Sequence, residues 1–261
     1  MEVRKMRTVT KEELNEILEN HKKWLNNEEG GEQANLSHAD LRKVDLCGVD
    51  LSHANLCSSN LNGASLQNTN LKNANLKNVH LQCAKLERAY LTCANLQGAD
   101  LISADLQHAK LRNADLLEAD LRQVDLYHAD LSSADLSSAQ LQGANLSDAD
   151  LQKSKLCGAL LHAANLKGAH RPWMITASNV GRSSDTIIYF ADYDHVICGH
   201  WNRYKGGRLA EFTKYIKHID KYPADDKENL MYRIEYLSAI KMFSSMREAY
   251  LKSVEEEKNN D

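Results

Sequence analysis

The residues best equipped for chemistry in this 261-residue chain gather in its last third: His195, Cys198 and His200, with Asp192 and Asp194 just upstream. A cysteine near an imidazole and a carboxylate is the material of thiol nucleophilic catalysis, in which the imidazole takes the proton from sulfur. Read as a strand, the segment puts Cys198 and His200 on one face and His195 on the other, because successive side chains alternate. A cysteine and a histidine two residues apart on one strand are not the usual nucleophile and base. No glycine-rich phosphate loop, zinc-ligand spacing or nucleophile elbow occurs elsewhere, and Gly206 with Gly207 is only a turn. The sequence therefore reads as non-enzymatic, with no cofactor.

What positions everything else is a stretch with no chemistry in it. Leucine falls at every fifth position from Leu36 to Leu166, 27 in one register. Two residues before each leucine stands a small side chain, usually alanine as at Ala34, Ala54 and Ala99, sometimes Val44, Ser59 or Thr69. Between the two lies mostly Asp or Asn, as at Asp40, Asn55, Asn75 and Asp130. On an α-helix each leucine would be rotated about 140° from the last, and on a flat strand an odd period sends alternate leucines to opposite faces. The conflict disappears if the chain turns a corner once per repeat and winds into a coil. Every leucine then faces a common axis, and stacking supplies the core that one repeat cannot make alone.

This A(D/N)LXX pattern resembles the pentapeptide-repeat family, which implies an all-β solenoid: a right-handed, four-sided β-helix over 34–170. The period alone leaves the number of sides open. Asparagine recurs at a spacing of twenty in Asn35/Asn55, Asn55/Asn75, Asn75/Asn95 and Asn145/Asn165, which favours four, since stacked asparagines bond in ladders. Leu36, Leu56, Leu76, Leu96, Leu116, Leu136 and Leu156 then form one inner column. At a strand spacing of about 4.8 Å, the 27 repeats make a rod of roughly 32 Å.

Residues 1–33 read as an N-terminal capping segment. One amphipathic helix is expected from Thr10 to about Asn27: Thr10 followed by Glu13 is a capping-box pattern, and Leu14, Ile17, Leu18, His21, Trp24 and Leu25 share a face, with Gly30 and Gly31 expected to stop it. A partner-binding helix is the alternative. Of the six cysteines, no two in the repeats differ by twenty, and the nearest pair sharing a column, Cys57 and Cys157, would lie about 24 Å apart. The absence of a disulfide framework, of an apolar signal segment and of any 18-residue apolar window suggests a cytoplasmic protein outside the membrane.

The outward residues are where specificity must live. Residues 34–170 carry 14 acidic and 12 basic side chains, unevenly spread. The stretch 100–135 has eight carboxylates against three cations, and 67–98 has four cations against one carboxylate, so the shaft is banded in charge, positive then negative. Asp100, Asp105, Asp115, Asp120, Asp125, Asp130 and Asp135 are the candidate interaction surface. Some relatives in the family act on topoisomerases such as gyrase by resembling duplex DNA, which is one alternative function. Duplex DNA carries a charge every 1.7 Å or so, and a net −2 over the rod imitates that poorly. The aspartate before each leucine also has a structural reading, bonding the backbone at its corner. A twenty-residue column of Arg88, His108, His128 and Asp148 holds possible metal ligands, but an open face lacks the closed geometry of a site.

The leucine period stops near Arg171. Residues 171–261 read as a small α+β domain: strands at 173–178, 186–191 and 195–201, a helix after Gly206 and Gly207 ending at Pro223, and a longer helix from about Asp226. The run Gly181-Arg182, Tyr189, Cys198-Gly199 and Glu211-Phe212 resembles a C-terminal extension of some bacterial and phage-associated pentapeptide-repeat proteins, to which no activity attaches. With 14 basic and 14 acidic residues it has no basic footprint for nucleic acid. The reading is a scaffold that binds a protein partner through its rigid surface, with self-association through the C-terminal domain; an effector activity in that domain is the third alternative.

Overall fold

The computed structural model describes residues 6–156, 159–161 and 163–170, the backbone of four C-terminal strands and a few isolated helical residues near the C-terminus. The chain divides into two compact units, Met1–Arg171 and Pro172–Asp261.

In the first unit the five-residue period becomes a coil of twenty. Parallel bridges join Asn35 to Asn55, Asp40 to Asn60, Asp45 to Ser65 and Asp50 to Asn70, and the same step of twenty continues to Asp150 and His170. Four bridged positions per turn make four sides. Each bridge has two hydrogen bonds: the Leu36 N–H donates to the Asn55 carbonyl at 2.8 Å, and the Asn55 N–H to the Ala34 carbonyl at 2.9 Å. Between sides the chain turns in two residues. The Ala39 N–H donates to the Leu36 carbonyl at 3.3 Å, and His38 has φ 55°. A positive φ at only the third residue of such a turn is the type II pattern.

That corner recurs in every described repeat, and glycine takes it only at positions such as Gly48, Gly63 and Gly143. Elsewhere Lys43, Arg88, Glu118 and other L-residues accept the left-handed region, at a cost of about 1–2 kcal/mol each. The stacked ladder sustains it, because the same corner residue also donates to the next coil, as His38 N–H does to the Cys57 carbonyl at 2.9 Å.

The interior contains leucine and its small neighbour. From Leu36 to Leu161 each leucine of the register is at most 4% exposed, and Leu36, Leu56, Leu76, Leu96, Leu116, Leu136 and Leu156 stack in one column at 0–1%. Where alanine is replaced by a hydroxyl residue the oxygen is bonded internally: Ser59 and Ser154 donate to the carbonyls of Leu56 and Leu151, and Thr69 to that of Leu46, all at 2.8 Å. These bonds satisfy polar atoms that would otherwise be costly inside.

Ahead of the rod, β1 (Arg7–Thr8) pairs in parallel with β2 (Ala39–Asp40) of the first coil, a strand the sequence did not announce. It is followed by α1, Lys11–Leu25, whose N-cap Thr10 accepts from the Glu13 N–H at 3.1 Å. The helix ends within two residues of the expected Asn27, but the glycines Gly30 and Gly31 are not what stops it. The helix ends at Leu25, and Asn27 takes the left-handed position at φ 56° while the Glu28 N–H returns to the Lys23 carbonyl at 2.9 Å. Asparagine tolerates that geometry and closes a Schellman motif. Gly31 has another duty, since a Cβ there would collide with the Trp24 backbone as the chain doubles back on the helix.

In the second unit β3 (Met174–Val180), β4 (Asp185–Phe190), β5 (His195–Cys198) and β6 (Gly207–Arg208) form an antiparallel sheet in chain order. The fourth strand includes Gly207, the second of the two glycines that the sequence suggested would open a helix. The proposed helices fall almost wholly outside the described residues.

Candidate interaction surface

Each repeat shows three outward positions: the residue before leucine, on the flat of a side, and the two after it, at the corner. Every Asp and Asn before a leucine performs the same local task. Its Oδ1 accepts the N–H two residues on, over 2.9–3.3 Å, in all nineteen cases from Asn35 to Asn165. This Asx bond satisfies a corner N–H that the ladder does not use.

The seven candidate aspartates all make it, and the coil distributes them. Asp100 and Asp120 stack on one side, Asp105 and Asp125 on the next, Asp130 on the fourth, and Asp115 with Asp135 on the remaining one. They form a belt round the rod. Their second oxygens are also engaged in places: Gln82 donates to Asp100 at 2.6 Å, Gln107 to Asp125 at 3.0 Å, Arg122 to Asp120 at 2.6 Å and Lys155 to Asp135 at 3.0 Å. Burial opposes the charge on Asp135, yet the Ser137 and Lys155 bonds hold its carboxyl below the usual range.

The column of Arg88, His108, His128 and Asp148 exists as the spacing implied. The His108 and His128 rings stack at 5.4 Å and 11°, with Tyr127 edge-on to His128 at 4.3 Å. Among the described residues no three His, Cys, Asp or Glu come together as metal ligands. His195 and Cys198 lie at the two ends of β5, paired with Phe190 and Ile187. His200, Asp192 and Asp194 lie outside the described residues. Cys47, Cys57, Cys83 and Cys93 are free thiols, and no described helix is long and apolar enough to cross a membrane.

Two features escaped the sequence reading. The first is His21, fully buried. Its Nδ1 accepts the Ala34 N–H at 3.1 Å, tying α1 to the first coil, so Nε2 carries the proton and is buried without a partner. Burial lowers its pKa, against an opposing pull from Asp50. The second is a set of repeats that give up the Asx acceptor: His80, Lys85, Tyr90 and Lys110 stand before leucines, and all four are exposed. Tyr90, 52% exposed, is the one large hydrophobic residue open to solvent among those described. The signal lay in the departures from the repeat, three of which fall in the cation-rich stretch 67–98.

Comparison with known proteins followed the same stretch. A family model described as pentapeptide repeats matches in eight copies over residues 34–73, 69–107, 99–137 and 139–170, a little over half the chain. No curated protein sequence matches the chain. Among solved structures, HetL from Nostoc sp. strain PCC 7120, titled as involved in heterocyst differentiation regulation, is 31% identical. That match covers 54% of this chain and 84% of HetL, with a TM-score of 0.31. The protein alr5209 from Nostoc PCC 7120 is 42% identical over 33% of this chain and 68% of its own, TM-score 0.28. QnrB1, titled a plasmid-mediated fluoroquinolone resistance protein, is 19% identical over 52% and 71%, TM-score 0.36.

Proposed function

This chain belongs to the pentapeptide-repeat family, and on that premise we propose that it is a non-enzymatic scaffold that binds a protein partner through the outside of its right-handed β-helix. One observation carries the proposal. The ladder fixes the backbone that carries every outward side chain, and the Asx bonds hold nineteen of those side chains besides, so a partner meets a frame that is already ordered, and little backbone freedom is lost on binding. In this reading β1 and α1 cover the open end of the first coil, where unpaired strand edges would otherwise invite end-on stacking. The unit Pro172–Asp261 supplies a second contact or self-association module, and the protein works in the cytoplasm.

Affinity capture with the intact protein tests this. A partner should be recovered, and its retention should fall when outward charges are reversed without loss of the fold. Recovery of nothing at high bait concentration ends the proposal. Resemblance to duplex DNA is the poorer alternative, because the seven aspartates spread over all four sides and their carboxylates are bonded to the corners.

A further inference from the structure

Tyr90 and Lys110 are consecutive on the fourth side of the rod, bridged to each other across adjacent coils. At the corner leading into that side stands Arg88, and at the corner leaving it stand Lys72 and Arg112; all five side chains are exposed. None of the four cations takes part in an ion pair among the described residues, whereas Arg42, Arg122 and Lys155 do. The column through Tyr90 runs Asp50, Asn70, Tyr90, Lys110, Asp130, Asp150. Carboxylates thus close the cluster at both ends, leaving a positive window that spans two coil steps, roughly 10 Å.

The positions themselves are informative. A tyrosine or lysine before leucine cannot offer the short acceptor that Asp and Asn give at nineteen other repeats, so the corners after Tyr90 and Lys110 go without the Asx bond. An exposed aromatic ring with four unpaired cations about it, against the single half-buried carboxylate Glu87 beside Arg88, on a rigid flat side is the composition of a binding centre. We propose that this window, Lys72, Arg88, Tyr90, Lys110 and Arg112, docks a short acidic peptide segment of a partner protein. The inference rests on the scaffold reading and names its surface. Three or four carboxylates suffice to fill the window, and in an extended peptide alternate side chains recur about every 6.6 Å, a spacing that long basic side chains reach. The Tyr90 hydroxyl donates to one carboxylate while its ring covers the methylenes. A nucleic-acid strand would run on into Asp130 and Asp150, and a net charge of −4 opposes it.

The test uses the full chain and a fluorescein-labelled peptide of three Glu-Ser units, read by fluorescence anisotropy. Saturable binding is expected at 50 mM salt, weakening at least tenfold at 500 mM as charges are screened, and no binding by the Gln-Ser analogue. Tyr90→Asn and Lys110→Asp should each weaken binding at least tenfold. Both restore the Asx acceptor, so both should melt no lower than the parent, which separates loss of the surface from loss of the fold. Absence of peptide binding, or binding indifferent to these variants, overturns the inference. A labelled ten-nucleotide oligothymidine bound more tightly, with the same variant dependence, overturns it in favour of nucleic acid. Partner capture that survives both variants removes this surface while leaving the scaffold in place.

Discussion

Coil 74–93 and coil 114–133 share one backbone and one set of inward leucines, yet they use their outer side chains differently. In the second, Asp115, Asp120, Asp125 and Asp130 all bond the corner N–H two residues on. In the first only Asn75 does so, and His80, Lys85 and Tyr90 stand free of that duty. One coil spends its flat positions on holding its corners; the other releases them to solvent. The difference separates what the repeat needs from what it carries.

The interior is where the two coils should be indistinguishable, and the largest effect tests that. Leu86→Ala and Leu126→Ala, both at fully buried positions, should each cost about 3 kcal/mol, read by chemical denaturation. Unequal losses would mean that the outer differences reach the core. The Asx bonds come next. Asp115→Ala, which removes the bond from the Leu117 N–H, should lose about 1 kcal/mol and Tyr90→Asn should gain a comparable amount, so the two coils move in opposite directions. If Tyr90→Asn destabilises, the tyrosine serves the fold after all.

Corners give a contrast of similar or smaller size. Gly143→Ala meets no closer atom than Gln123 Cγ at 3.7 Å, so its cost, about 1 kcal/mol, reports the left-handed backbone alone, while Glu118→Gly should stabilise. The smallest shift belongs to the first coil. His21 is neutral in the fold with a lowered pKa, so the unfolded chain binds the proton first. The stability it protects is present above its ordinary value of 6.5 and falls as pH drops below it. His21→Asn keeps an acceptor for the Ala34 N–H and should flatten that slope between pH 7 and 5 in thermal melts.

Much of the rod was legible because its rule is local and repeated. A period of five admits few shapes that hide every leucine, and asparagine spacing chose twenty over fifteen. The structural reading of the aspartate before leucine was equally available, since a short side chain at a corner bonds the backbone. The charge counts pointed to a band along the shaft, and the coil shows why it is a band. Residues 100–135 run nearly twice round the rod, so repeats that are neighbours in sequence take successive sides, and the seven aspartates encircle it. The pairing of Arg7 and Thr8 with Ala39 and Asp40 was hidden because two polar residues carry no periodic signal. Asn27 was hidden behind two glycines that looked like better helix stops. The sheet β3 to β6 kept the three strands the sequence offered and added Gly207–Arg208, a strand too short and too glycine-rich to announce itself.

The step of twenty has one more consequence. Removing four consecutive repeats would shorten the rod and leave every later side chain pointing where it did before. Removing one repeat would keep the interior just as well filled but swing everything downstream by a quarter turn. Gain or loss of a single pentapeptide is thus a rotation, and a lineage can re-aim one half of such a rod against the other without altering any residue that meets a partner.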